Sequence, residues 1–337
     1  MWKIKRMAII SIAIMLTILL FTYISAQQEK YRRFSAPDDI GELSESSASF
    51  VTEFCNHTLA PVPTKPKVCI FDPQEDMYVS KHIMMGLIWD KKGVATVLTH
   101  LIQLQSAGLD PVLLDLGANI GTFSIPSISY GVRTVAVEPL NSAMKRLATS
   151  VSMNKFHPSL FSLHRKAVSD RRGCVMSRTD PLNKGGSEVD HVTCDENTEQ
   201  KRDVTKAVTV DDLVTHLPIK KLNVVIKMDI QGFEPLALKG ASNLFKTHNV
   251  TLIYMEWSEL KGALVTNVKA TPYTDTIEQV MNRLVNHMEF SVFSKELGSQ
   301  LYWEDRLHWS DNIFLVQKGM EKLFRITDQI PSPLKVA

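Results

Sequence analysis

From Val94 to Ala107 apolar residues fall at helical spacing (Val97, Leu98, Leu101, Ile102), and Gly108 ends the run. The rhythm then changes. "PVLLDL", from Pro111 to Leu116, reads as a buried strand and "GTFSIPSISYG" as a helix entered at Gly121. "RTVAVEP" is a second strand and "NSAMKRLATSVSMN" a second helix reaching Asn154, which together make a β-α-β unit with parallel strands. A third strand is expected within Leu160 to Ser169, and the polar stretch from Asp170 to Lys206 reads as a hairpin or excursion outside the core. "LNVVIKMDI" resumes the pattern as a fourth strand, followed by a helix in "GFEPLALKGASNLF" and a fifth strand in "VTLIYMEW". A helix from Asp275 to His287 precedes a closing pair of strands, "EFSVFS" and "DNIFLVQK". Alternation at this spacing predicts an α/β fold: a doubly wound, mostly parallel sheet with helices on both faces.

The N-terminal segment follows a different pattern. Lys3, Lys5 and Arg6 precede the uncharged run Met7 to Ala26, long enough for a membrane span, which needs about 20 apolar residues. A cleaved signal peptide is the rival reading, though its apolar region is usually only about 7 to 15 residues. Residues 1–6 are then a short cytoplasmic tail, 7–26 a transmembrane signal-anchor, 27–66 a polar Ser-, Glu- and Pro-rich stalk, and 67–337 the folded body. Lys30, Arg32 and Arg33 balance the basic residues ahead of the span, so the positive-inside rule is nearly silent on orientation. Two other features favour a lumenal or extracellular body, hence a type II protein of the Golgi or endoplasmic reticulum or of the cell surface. They are the sequons at Asn56 and Asn249, and four cysteines in two sequence-local pairs, Cys55 with Cys69 and Cys174 with Cys194.

Charge narrows the partners. Lys plus Arg number 38 against 36 Asp plus Glu, so no basic field points to nucleic acid. In doubly wound sheets ligands lie beyond the carboxyl ends of the strands, and the first strand-to-helix turn is the floor of that crevice. Here the turn reads Asp115-Leu116-Gly117-Ala118-Asn119-Ile120-Gly121, and Glu138 ends the next strand about 20 residues later, where it can accept hydrogen bonds from a ribose diol. A pyrophosphate needs a glycine where this chain has Asn119. An amino-acid tail suits a turn offering Asp115, the Asn119 amide and a helix N-terminus, so the residues favour S-adenosylmethionine over a nicotinamide dinucleotide. Glycines at this spacing alone would be read as tight strand-helix packing; Glu138 in its matching place is what favours a ligand.

The stretches "LLDLGANIGTFS", "VAVEP", "AVSDRRG", "VTVDDL" and "IKMDIQGFEPLALKGA" resemble, in order, the successive motifs of the FkbM-type methyltransferases, over roughly Val112 to Val316. The resemblance implies a class I, Rossmann-like sheet of seven strands whose last two form a reversed hairpin. It implies S-adenosylmethionine bound through Asp115, Gly117, Asn119, Gly121 and Glu138, Asp170 near the adenine, and methyl transfer mostly to oxygen. Gln231 stands where the family has glutamate, so no carboxylate role carries over to that position.

An alcohol acceptor needs help in losing its proton. Asp229, ending the fourth strand, is the first candidate base and Glu256, ending the fifth, the second; Glu234 could add a third carboxylate. Carboxylates gathered at one rim could also hold a divalent cation, but no metal ligand set is assigned. Trp257, Trp303 and Trp309 fall near the expected mouth, where a sugar face could pack on one of them, although core packing is the commoner role of such aromatics. The expected function is O-methylation of a small-molecule or glycan hydroxyl by a membrane-anchored enzyme. The alternative is a non-catalytic methyltransferase-like binding module on the same anchor.

Overall fold

The computed structural model describes residues 54–180, 183–195, 204–215, 217, 221–266 and 272–334. The expected membrane span at residues 7–26 and most of the stalk lie outside the described residues. Within them, no helix is long and apolar enough to cross a membrane.

Fourteen strands are described: β1 (His57–Thr58), β2 (Lys67–Val68), β3 (Pro111–Leu116), β4 (Arg133–Val137), β5 (Phe161–His164), β6 (Ala167–Val168), β7 (Gly173–Asp180), β8 (Asn183–Val192), β9 (Val204–Val208), β10 (Asn223–Met228), β11 (Asn249–Glu256), β12 (Phe290–Ser294), β13 (Gln300–Leu301) and β14 (Asn312–Gln317). The helices are α1 (Val79–Met84), α2 (Lys91–Ser106), α3 (Ser124–Ser129), α4 (Asn141–Met153), α5 (Val210–Val214), α6 (Glu234–Lys239), α7 (Ser242–Thr247), α8 (Ser258–Thr266) and α9 (Pro272–Asn282).

The main sheet has the order β13-β12-β14-β11-β10-β3-β4-β5. Strands β5, β4, β3, β10 and β11 pair in parallel, and β14 runs antiparallel between β11 and β12. The sheet expected to have seven strands therefore has eight, because the two-residue β13 extends its edge through β12. The reversed hairpin also differs in detail from expectation: β12 runs with the parallel strands, while β14, inserted inside it, and the short β13 are reversed.

Both faces of the sheet are covered, which explains its continuous apolar strands. Successive residues point to opposite sides. Leu113, Val225 and Leu252 pack on α2, α3 and α4 through Leu98, Leu101, Ile125 and Leu147. Leu114, Ile226 and Ile253 pack on the other helices through Leu213, Leu238, Leu260 and Ile277.

The excursion between β6 and β9 forms a separate four-stranded sheet of order β6-β9-β7-β8, tied by a Cys174–Cys194 disulfide. Cys55 is bonded to Cys69, so both cysteine pairs form as read from sequence. The stalk reading ends too late. Leu59 and Val62 are fully buried and Phe54 packs on the same core, so the body already includes residues from Phe54 onward.

Candidate functional site

Four neighbouring strands, β4, β3, β10 and β11, end along one edge of the sheet, spaced about 4.8 Å apart. Just past their ends stand Glu138, Gly117 and Asp229, with Glu256 as the last residue of β11. The topology thus brings residues separated by more than a hundred positions to one rim, and they line a single cavity of about 450 Å³.

The turn after β3 can only be built with glycine at its first position. Gly117 has φ +74°, and a Cβ there would lie 2.0 Å from the Asp229 carbonyl oxygen. Turn and opposite loop are therefore in backbone contact. Asn119 is also left-handed at φ 49°, and its backbone N–H donates to Glu138 Oε2 at 2.8 Å. The other Glu138 oxygen accepts from Leu140 N at 2.8 Å. Burial dominates these bonds and raises the Glu138 carboxyl to about 7. The Asn119 side-chain oxygen is buried in the cavity wall with no hydrogen-bond partner. Gly121 plays a packing role: it faces Leu147 and Ile125 rather than the cavity.

Sheet register explains a lysine that sequence reading passed over. Asp115, Lys227 and Tyr254 are successive partners across β3, β10 and β11, so all three point to one face. Lys227 Nζ donates to the Gly117 carbonyl at 2.6 Å and lies 3.6 Å from Asp115 Oδ1. Burial disfavours its charge, yet Asp115, Asp229 and Glu138 together outweigh burial and hold it above the usual lysine range. Asp115 is fully buried beneath the turn, where it accepts from Ser124 Oγ at 2.6 Å. Burial pushes its carboxyl up and Lys227 offsets this only in part, because the one ammonium serves several oxygens. Asp115 therefore supports the turn from behind and is not part of the cavity lining. A lone lysine inside the apolar run "VVIKM" was the available signal.

The far wall carries the paired carboxylates. Gln231, left-handed at φ 55°, donates its side-chain amide to Asp229 Oδ1 at 2.8 Å and to Glu256 Oε2 at 3.2 Å. Ser258 Oγ donates to the other Glu256 oxygen at 2.5 Å. Burial first, and then the neighbouring Asp229 charge, raise the Glu256 carboxyl above the ordinary range. The glutamine at this position thus bridges two acids instead of adding a third. Beyond them Asp90 accepts from the Tyr254 hydroxyl and from Lys295 Nζ at 3.0 Å, extending the polar wall with residues that carried no sequence signal.

Several expectations are corrected. Asp170 does not line the cavity; it pairs with Lys239 at 2.9 Å, while Lys166, Ala167 and Val168 reach the site instead. Glu234 is fully buried below the loop, accepts from Ile230 N at 2.8 Å and is raised by burial to about 8. Trp257 and Trp309 are buried in a cluster with Trp303, with indole N–H groups donating to Arg306 and Tyr302 carbonyls. Trp89 and Tyr78 stand at the mouth in their place. Among the described residues, no three His, Cys, Asp or Glu side chains gather as a metal site.

The family model described as the methyltransferase FkbM domain matches residues 115–291. Among solved structures, an O-methyltransferase from Bacillus cereus in complex with SAH is similar at 14% identity and TM-score 0.39, covering 68% of this chain and 82% of that one. The O-methyltransferase TomG from Streptomyces achromogenes, in complex with SAM, is similar at 11% identity and TM-score 0.36, covering 73% and 100% respectively. Likeness at this level bears on no chemical question. A comparison with curated proteins gives no match.

Proposed function

Because the chain belongs to the methyltransferase FkbM family, we propose that it is an S-adenosylmethionine-dependent O-methyltransferase acting on a hydroxyl acceptor, with glycans as the favoured class. The observation that carries this reading is the placement of Glu138 and of the Asp229–Glu256 pair on the walls of one cavity. S-adenosylmethionine supplies a methyl group on a sulfonium that leaves as a neutral thioether. Glu138 would hold the ribose hydroxyls, since each of its oxygens retains a lone pair beyond the backbone bond it accepts. The partnerless Asn119 oxygen suits the ammonium of an amino-acid tail. The residues present therefore fit the group.

On the opposite wall, an acceptor hydroxyl would be held beside Glu256 and oriented toward the methyl donor. Glu256 would accept the proton that this hydroxyl gives up. A carboxylate raised toward neutrality is a stronger base than an ordinary one and is still ionised in a useful fraction near pH 7. Gln231 holds Glu256 and Asp229 in fixed relation, so the charge of the second acid sustains the basicity of the first.

Attachment at a membrane through residues 7–26, with the body in the secretory lumen or outside the cell, belongs to the same proposal. Two disulfides support an oxidising compartment. Asn56 is exposed and open to a glycan, whereas Asn249 opens β11 and donates its side-chain amide to Asn223 at 2.9 Å. The test is transfer of tritiated methyl from S-adenosylmethionine to a panel of oligosaccharides and other alcohols. A base-stable ether product, lost at least a hundredfold in Glu256→Gln, is expected. Label in an ester or amine, or undiminished transfer by the variant, would overturn the assignment.

A further inference from the structure

Eleven large apolar side chains are prominently exposed among the described residues, and six of them lie within Met77 to Trp89. Met77, Tyr78, Met84, Met85, Leu87 and Trp89 are each between 41% and 62% exposed. Apolar residues scattered singly are ordinary on a protein surface, but a contiguous cluster marks a surface that meets something. This one surrounds α1 and the turn after it. Its inner members, Tyr78 and Trp89, line the mouth of the cavity, with ring centroids 5.4 Å apart in an edge-to-face pair. The loop after β12 joins the same rim: Lys92 donates to the Glu296 carbonyl at 3.1 Å, and Lys295 bonds Asp90. That loop carries Leu297, 82% exposed, the most exposed large apolar side chain described.

We infer that this rim seats the body on the surface of a lipid bilayer, with the cavity mouth opening against the lipid. The inference rests on the membrane attachment proposed above. Charge agrees with this occupant. No acidic residue occurs from Tyr78 to Trp89, Lys81 and His82 stand on α1 and Lys91 opens α2, while Glu296, the exposed acid beside Leu297, is paired with Lys92 at 3.6 Å and Lys295 at 3.5 Å. Aromatic, methionine and leucine side chains flanked by lysines are what an interfacial segment presents to headgroups and the acyl boundary. Chain length agrees as well. Residues 27–53 separate the apolar run ending at Ala26 from the folded body, a length of chain that can reach at most roughly 90 Å. That length bounds how far the body can lie from the membrane, and the rim decides which face turns to the lipid. The acceptor hydroxyl then reaches Glu256 from the membrane side.

The test uses the full chain in vesicles of phosphatidylcholine with a minor phosphatidylserine fraction, prepared with and without brominated acyl chains. The Trp89→Phe variant isolates the Trp89 signal by difference. We expect the chain to float with the vesicles and brominated lipid to remove most of the Trp89 difference fluorescence. A Met84→Glu/Met85→Glu variant should still float but lose that quenching. Failure to float overturns the attachment and the docking together. Flotation without Trp89 quenching overturns the docking alone: protection of Trp89 from aqueous acrylamide would then assign the rim to the chain's own N-terminal segment or a second copy, and free access would leave it facing solvent.

Discussion

Replacing Gly117 by alanine would push a methyl group into the Asp229 carbonyl. The Cβ lies 2.0 Å from that oxygen and 3.0 Å from its carbon, both backbone atoms that no side-chain rotation can clear. Restoring an ordinary contact of 3.4 Å requires the turn after β3 and the loop after β10 to separate by about 1.4 Å. The residue also sits at φ +74°, which costs an L-residue about 1–2 kcal/mol. Overpacking adds about 1–3 kcal/mol, for a total loss of about 2–5 kcal/mol. The damage extends to chemistry, because the same displacement stretches the 2.6 Å bond from Lys227 to the Gly117 carbonyl and moves Asp229 away from the cofactor turn. Gly108→Ala is the control, since its φ is +73° with nothing within 4 Å of an added Cβ. Circular dichroism melts and denaturant titrations of the two variants should differ by the overpacking component, and only Gly117→Ala should weaken S-adenosylmethionine. Equal destabilisation by the two substitutions would refute the reasoning that the two loops are locked together.

The acid–base assignment predicts a pH profile: Glu256 is raised by burial and by Asp229, so its protonated form persists above the ordinary carboxylate range and transfer should rise as pH increases toward and past neutrality. Single-turnover rates from pH 5.5 to 9 that are flat, or that fall with rising pH, would contradict Glu256 as the base. A second titration concerns stability. His100 is fully buried, held by the Leu323 carbonyl and Thr251 Oγ1, and burial lowers it to about 4. A depressed histidine leaves the folded state neutral while the unfolded state gains a proton, so stability is present above about pH 6.5 and is lost as pH falls toward 4. The loss is about 3 kcal/mol. Denaturant titrations at pH 7 and 4.5 should show that dependence in the parent and a smaller one in His100→Gln.

How much the sequence disclosed follows from where each signal lives. The strands of the main sheet are buried on both faces, so β3, β4, β10 and β11 are continuous apolar runs ended by turn residues and are legible locally. The rim residues Gly117, Asn119, Glu138, Asp229 and Glu256 were legible for the same reason, since each stands at or just past the end of such a run. Asp115 and Gly121 were legible as members of the turn but not in their roles, because pointing behind it or into it depends on register. Asp170 followed the motif order, yet the second sheet carries it toward Lys239. Trp89 and Asp90 reach the site only because α2 packs beside the β12 loop, a tertiary contact with no local pattern. Trp257 and Trp309 take the core role rather than the acceptor-packing one, because their indole N–H groups find carbonyl partners in Arg306 and Tyr302.

The central claim is that the turn after β3 and Glu138 form a site for S-adenosylmethionine. Calorimetric titration of the chain with S-adenosylmethionine, and separately with NAD, repeated on Glu138→Ala, tests it most directly. Removing a charged hydrogen-bond acceptor costs about 1.5–3 kcal/mol, so the variant should bind S-adenosylmethionine roughly ten- to a hundredfold more weakly, and neither protein should bind NAD. Absence of S-adenosylmethionine binding by the parent chain, or affinity unchanged by the loss of Glu138, would contradict the account.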